Sequence, residues 1–402
     1  MLRHLGARLF IDHASEICVP DADGPGVTRL ADHAVYVDEG RIKWIGPRAE
    51  RPAESEGAHT YDAGGGAVLP ALVDCHTHLV FGGDRVADFA RRASGMTYAE
   101  IAAEGGGILT TVQATRRASF DALLDGTRAR LEHRARHGIW TTEIKSGYGL
   151  TIEHELRMLG VVSRLKTEGW DLEGTLLGAH AVPKDRDRDD YVDDVVTKMI
   201  PKAAQGELAR FVDVFVERGA YTLDEGRRVF EAAKANGLIP RVHADQITAG
   251  GGAELAAEVG AASADHIENL SDAGAKHMAD AGVVGVLLPG AMTYLADRAP
   301  DLGRRLVEAG VEVAVATDHN PGSSPTANLP LMATLATTQM GLTAEQALRA
   351  VTRGAASALR RDDVGRMEVG ARARFAVLTH ADSRALVAAF GEPVVRDLVV
   401  CA

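Results

Sequence analysis

Apolar residues along this chain come in short runs rather than long blocks. Eight of them, at 68–76, 139–144, 174–180, 211–217, 239–243, 262–266, 283–288 and 312–317, have the length of a buried strand. Stretches with helical spacing follow most of them, at 119–137, 151–168, 189–204, 222–236, 251–259, 271–281, 298–309 and, in two pieces, 328–353. A strand-then-helix rhythm buries a parallel sheet under a layer of helices. Eight such units predict an α/β fold of the (β/α)8, TIM-like barrel type, with its active site at the C-terminal strand ends. A doubly wound open sheet is the alternative. The stretch 80–118 breaks the rhythm, holds a Gly-rich turn at 105–107, and is expected to cover the barrel mouth.

Both ends of the chain read differently. ARLFID, HAVYVDEG and RIKWIG near the N-terminus, and ARFAVL and PVVRDLVV near the C-terminus, are short apolar segments punctuated by turn residues. They predict β-structure, built as one small sheet from the two termini. Composition adds mainly exclusions. A net charge of −12 argues against nucleic acid or an anionic membrane surface as partner. Three cysteines, Cys18, Cys75 and Cys401, make no disulfide framework, and no run of about 18 apolar residues is present to span a bilayer. The N-terminal MLRHLGARLF lacks the apolar core of a signal peptide, so a soluble cytoplasmic protein is expected.

The chemistry gathers where the apolar runs stop. The first ends in DCHTH, and residues two apart on a strand share a face, so His76 and His78 point the same way. His180 ends the third run, Glu217 the fourth, His243 the fifth and His266 the sixth, while Asp318 follows the eighth. Across a barrel mouth His76, His78, His243 and Asp318 can converge on one ion. Three neutral nitrogens and a carboxylate suit zinc or iron and leave room for a water. No lysine ends the fourth run to bridge a second metal, which favours a single ion; Lys145 is read as structural or as supporting a ligand. The glycine clusters at 64–66 and 250–252 lack the lysine and serine of a phosphate loop and read as turns or helix starts, as does RDRDD at 186–190.

PALVDCHTHLVFGGDR, EIKSGYGL, GAHAVP, VHADQ, SADHIE, LLPGAMTYL and TDHNPGSSP together resemble the imidazolonepropionase family of the amidohydrolase superfamily, across essentially the whole chain. The resemblance implies a small β-sandwich domain from residues 1–67 and 366–402 beside a catalytic barrel at 68–365. It implies hydrolysis of the small molecule 4-imidazolone-5-propanoate to N-formimidoyl-L-glutamate, a step of histidine breakdown. One divalent metal, zinc or iron, is implied on His76, His78, His243 and Asp318, with substrate contacts from Arg85, Tyr148, His180, Gln246, Asn320, Gly322 and Ser323. A homodimer is expected, as for many such barrels.

Elementary chemistry gives these residues roles. A bound metal lowers the pKa of its water from about 16 to about 7. Asp318 would take that proton and pass it to the departing ring nitrogen. His266 or His180 would stabilise the oxyanion, and the Arg85 fork suits a propionate carboxylate. Gln246 stands where some relatives carry Glu; an amide is no base, so that role must lie elsewhere. The rival enzyme, a deaminase of cyclic amidines, often needs a protonatable Glu soon after the fifth-strand histidine, and HADQ lacks it. A non-enzymatic scaffold would be expected to have lost ligands, and all four are present.

Overall fold

A computed structural model of the protein describes residues 1–97, 100–101 and 104–401. Its centre is an eight-stranded, all-parallel sheet in sequential order. The strands are β1 (Leu72–Asp74), β2 (Ile139–Lys145), β3 (Asp171–Ala179), β4 (Phe211–Val216), β5 (Ile239–Ala244), β6 (Ser263–His266), β7 (Val284–Leu287) and β8 (Val313–Val315). Helices alternate with them, and many start where a side chain satisfies free N–H groups. Ser119, Thr151, Thr222 and Ser271 each accept from the first turn, Thr222 with Glu225 as a reciprocal pair. The layer between strands and helices is apolar, with Leu176, Val212, Val242 and Ala264 meeting Leu159, Val162 and Phe230.

The sheet closes at the C-terminal end of β1. Thr77 bridges His319 in parallel register, the His78 amide donates to the His319 carbonyl at 3.0 Å, and the Asp318 amide donates to His76 at 3.0 Å. Beneath this seam Asp74 is fully buried. Its carboxylate accepts from the Thr317 amide at 3.1 Å and hydroxyl at 2.6 Å, and pairs with Arg134 reaching in from the helix Phe120–Ala135. The barrel is therefore joined by the same short segments that carry the candidate ligands.

The termini form two further sheets. Six strands, in the order Leu2–Leu5, Val395–Cys401, Arg374–Leu378, Val68–Pro70, Glu16–Pro20 and Val27–Ala31, make one. Arg41–Pro47, His33–Asp38, Leu9–Asp12 and His59–Asp62 make the other. They pack face to face through Leu9, Ile11, Ile17, Val35, Val37, Val68, Phe375 and Val399, which is a β-sandwich rather than the single sheet expected from the runs alone.

Two strand readings change. The run at 68–76 is not one barrel strand: Val68–Pro70 pairs with Arg374–Leu378 in the outer sheet, and Leu72–Asp74 starts the barrel. The Ala71 amide still donates to Arg374, whereas that of Leu72 donates to Gly138, so the chain crosses between them. An unbroken apolar run fits burial in two successive sheets as well as in one. The third strand also starts earlier, at Asp171, because Arg361 pairs with Asp171 at 3.1 Å and Glu173 at 2.9 Å and makes those charges tolerable beside the barrel. Among the described residues no helix is long and apolar enough to cross a membrane.

The closing pair gives a stability prediction. Arg134→Met leaves Asp74 buried without its cation, a loss expected to cost about 3–5 kcal/mol. Denaturant unfolding should show a clearly lower midpoint with the slope unchanged; a midpoint within error of wild type would remove Arg134 from the closure.

Candidate metal centre and active site

The strand ends bring their polar residues to one place. The rings of His76 and His243 lie 4.6 Å apart, those of His76 and His78 5.3 Å, and those of His243 and His266 5.3 Å. Asp318 completes the group: its Oδ1 is 3.5 Å from His76 Nε2 and 3.4 Å from His78 Nε2. Two overlapping trios, His76–His78–Asp318 and His76–His243–His266, have the spacing to hold a metal ion, and all five residues are buried.

Carboxylates beneath the histidines set their orientation. His76 Nδ1 donates to Asp265 at 2.7 Å and His243 Nδ1 donates to Asp213 at 2.9 Å, so both rings present Nε2 to the mouth. Lys145 lies fully buried between these carboxylates, its ammonium 2.9 Å from Asp213, 2.9 Å from Glu143 and 3.5 Å from Asp265. Arg241 adds a second cation, 2.9 Å from Asp265, and donates to the Cys75 carbonyl at 2.7 Å. Glu143 in turn accepts from the Thr77 amide at 3.1 Å, which pins the backbone between His76 and His78.

The electrostatics suit a cation. Burial, followed by the nearby Lys145 and His243, holds His76 well below the usual imidazole range. Burial also lowers His243 against the pull of Asp213. Burial alone would raise the Asp318 carboxyl, but the hydrogen bond with His78 and the adjacent His76 and His266 outweigh it, and the group is held ionised. His76 Nε2 and His78 Nδ1 are buried with no hydrogen-bond partner. An orphaned His76 Nε2 beside an ionised carboxylate, with His78 Nε2 on the same oxygen, is a donor set that fits a divalent metal. Lys145, saturated by carboxylates, is placed as a support for ligands and not as a bridge between two ions.

Around this centre lie the other sequence-predicted residues. Tyr148 is buried, its ring 5.8 Å from His78 and 5.6 Å from His180. His180 stacks on His78 with ring centroids 5.3 Å apart, and its Nδ1 donates to the Gly147 carbonyl at 3.0 Å. Burial, with His78 and His243 beside it, pushes His180 down to about 3. For His266, burial alone would lower the pKa, but Glu268 lies 3.2 Å from Nδ1 and the net direction is upward. His266 and Asp318 both adopt left-handed backbone, at φ 77° and 49°, which is uncommon for side-chain-bearing residues and marks strain at the two strand ends.

The loop after β8 is held by Asn320. Its amide oxygen accepts from the Gly322 and Ser323 amides at 2.8 Å each, and its amide nitrogen donates to the Asp318 carbonyl at 2.6 Å. Ser323 can then donate to the Asp318 carboxylate at 3.3 Å. Asn320 thus has both its polar atoms engaged inside the loop. Arg85 arrives from the opposite side: a Cβ on Gly322 would lie 3.0 Å from its Nη1. Its Nε donates to Asp88, which also accepts from the Gly107 amide at 2.9 Å. Gln246 sits partly exposed at the mouth, next to the loop that Glu217 grips through the Ile247 amide at 2.8 Å. Glu217 is thereby a loop anchor. The 250–252 glycines open the helix Gly252–Val259, where Asp245 accepts from the amides of Gly250, Gly252 and Ala253.

Asp213, Asp265, Glu143, Arg241 and Asp88 were not among the predicted residues. The first four carried a readable signal: each is a charge inside an apolar strand, as in FVDVFV and IPRVHA, and such a charge must be paired.

A family model described as Amidohydrolase family matches residues 67–401. The chain is 48% identical over 355 residues to an imidazolonepropionase of Geobacillus kaustophilus (strain HTA426), covering 86% of this chain and 83% of that one. It is 46% identical over 382 residues to an imidazolonepropionase of Polaromonas sp. (strain JS666 / ATCC BAA-500), covering 94% and 90%. Its fold is similar to that of an adenosine deaminase from Xanthomonas campestris solved with bound zinc, with a TM-score of 0.73 at 20% identity over 100% of this chain and 92% of that one.

If Asp213 and Asp265 orient the ligands, Asp213→Asn and Asp265→Asn should each weaken metal binding about 10- to 100-fold. Chelator competition on the purified variants measures this directly. Wild-type affinity in both would show that the histidines need no support.

Proposed function

The chain belongs to the amidohydrolase family and, within it, to the imidazolonepropionases, and we propose that it adds water to 4-imidazolone-5-propanoate to give N-formimidoyl-L-glutamate. The observation that carries this reading is the position of Arg85, a cation brought against Gly322 in the loop that follows Asp318, beside two overlapping trios of metal-donor residues. A propionate arm needs such a partner, and a neutral ring does not.

His76, His78, His243 and Asp318 would hold one divalent ion, zinc or iron, since the set suits both. When bound, the ion supplies an acidified water and an electrophile for the ring carbonyl. Asp318 takes the proton of the attacking water and delivers it to the ring nitrogen as the carbon–nitrogen bond breaks. His266, kept cation-prone by Glu268, faces the developing oxyanion. His180 is neutral and carries its proton on Nδ1, so its Nε2 accepts from the substrate. Arg85 binds the carboxylate, with Tyr148, Gln246, Asn320, Gly322 and Ser323 lining the rest of the pocket. Gln246 contributes hydrogen bonds and no base chemistry. This reading places the chemistry in the barrel at 68–365, with 1–67 and 366–402 as its β-domain, in a cytoplasmic homodimer.

Two experiments test it. Asp318→Ala should abolish ring opening, whereas Gln246→Ala should lose only hydrogen bonds worth about 0.5–1.5 kcal/mol each. Equal loss in both variants, with metal content intact, would overturn these roles. Hydrogen bonds to a charged group contribute about 1.5–3 kcal/mol, so Arg85→Met should lower kcat/KM about 10- to 150-fold. An imidazolone without the carboxylate should be hardly affected by the same change. Equal losses on both compounds would show that Arg85 does not read the carboxylate.

A further inference from the structure

The loop between β2 and the next helix is gripped on two sides. Glu155, fully buried in the helix Ile152–Thr167, reaches back beneath it. One carboxylate oxygen accepts from the Gly147 amide at 2.8 Å; the other accepts from Gly149 at 2.7 Å and Leu150 at 2.6 Å. Arg116 takes the opposite groups, donating to the Gly149 carbonyl at 2.6 Å and the Leu150 carbonyl at 3.1 Å. The fit leaves no space for side chains. A Cβ on Gly149 would lie 2.5 Å from the Glu155 amide nitrogen, and one on Gly147 would lie 2.8 Å from His180 Nδ1.

One connection in this cradle leads to the active site. The Gly147 carbonyl is the partner of His180 Nδ1. A carbonyl only accepts, so this bond requires the proton on Nδ1 and leaves Nε2 as a bare acceptor. Free histidine favours the opposite tautomer, so the protein must hold Gly147 in place to keep this one. Glu155 holds that glycine by its N–H, and Arg116 does not touch it.

We propose that Glu155 is a positioning residue that fixes the tautomer of His180 through the Gly147 backbone. The proposal rests on the reading of His180 as a substrate-facing residue only for its consequence in catalysis, not for the tautomer itself. A glutamine at 155 cannot replace the carboxylate in full, because the Gly147, Gly149 and Leu150 groups are all donors, and the neighbouring Ser146 hydroxyl already accepts from the Leu177 amide at 2.9 Å. Its oxygen can serve Gly149 and Leu150, and its NH2 then opposes the Gly147 N–H. That orientation keeps two of the three bonds, and its loss falls on the one glycine tied to His180.

The test uses metal-loaded enzyme labelled with 15N-histidine, with the His180 resonances assigned from His180→Asn. Wild type should show Nδ1 protonated and Nε2 bare. Glu155→Gln should move His180 toward the Nε2-protonated form and lower kcat/KM about 10- to 100-fold, with metal content unchanged. Arg116→Met should loosen the loop thermally and leave the tautomer as in wild type. Glu155→Asp, which retracts the carboxylate by one methylene, replaces Glu155→Gln if that variant does not fold, with the same expected shift. A wild-type His180 protonated on Nε2, a Glu155 variant with an unchanged tautomer, or an equal shift in Arg116→Met overturns the proposal. Absence of turnover by wild type would instead count against the substrate assignment and leave the tautomer result standing.

Discussion

The structure depends on a set of charges buried under the mouth of the barrel. Glu143, Asp213 and Asp265 carry three negative charges into a fully enclosed space, and Lys145 and Arg241 return two positive ones. Burying an unpaired ion costs several kcal/mol even after relaxation, so such a group is stable only when its hydrogen bonds are complete. Here the carboxylates also spend bonds on His76 and His243, which remain neutral, and Asp318 adds a further negative charge above them. These six groups sum to two negative charges where His76 Nε2 stands without a partner. A divalent cation would offset that charge, and the network that anchors the candidate ligands would also create the field that attracts it.

This arrangement links stability to chemistry. The seam that closes the barrel runs through His76, Thr77, His78, Asp318 and His319, so three of the four candidate ligands are placed by sheet closure and the fourth, His243, by its own strand. The strained backbone at Asp318 and His266 is held by the same contacts: Asn320 ties down the loop after Asp318, and Glu268 holds the His266 ring. Strain of this kind costs about 1–3 kcal/mol and persists only where the surroundings over-determine it.

Much of this was legible in the chain. Apolar strand runs and helical spacing located all eight barrel strands, and the candidate ligands that the structure brings together were readable because they stand where those runs stop. Other features had no such signal. The helix Val86–Ala93 has apolar residues at helical spacing, Val86, Phe89, Ala90 and Ala93, but buries none of its residues, so nothing in its pattern marks Arg85 at its start. The strands Leu2–Leu5, Val27–Ala31 and His59–Asp62 are short and half-exposed, and only pairing with distant partners makes them strands. The crossing at Ala71 is invisible because both sheets ask for the same apolar residues. The supporting carboxylates were visible as charges within apolar strands, but spacing along one strand cannot say which histidine of another strand each will meet.

In the proposed reading, the same rule of paired charge extends to the substrate through Arg85. Its side chain is only 10% exposed, so a lone guanidinium there would be poorly solvated. Asp88 resolves this by taking Nε, and the Gly107 amide fixes Asp88 in turn. That pairing does not cancel the arginine as a binding group, because the fork has five donors and Asp88 engages one edge. The other edge is aimed at Gly322, where the missing side chain leaves room for it. A carboxylate bound there meets donors already oriented, so little side-chain entropy is lost on binding. In that reading the length of the substrate's own arm would carry its ring toward the metal donors. In the proposed reaction, specificity for a charged arm and placement of the reacting carbonyl have one cause: the arginine is held by Asp88 and faces Gly322, four residues beyond Asp318.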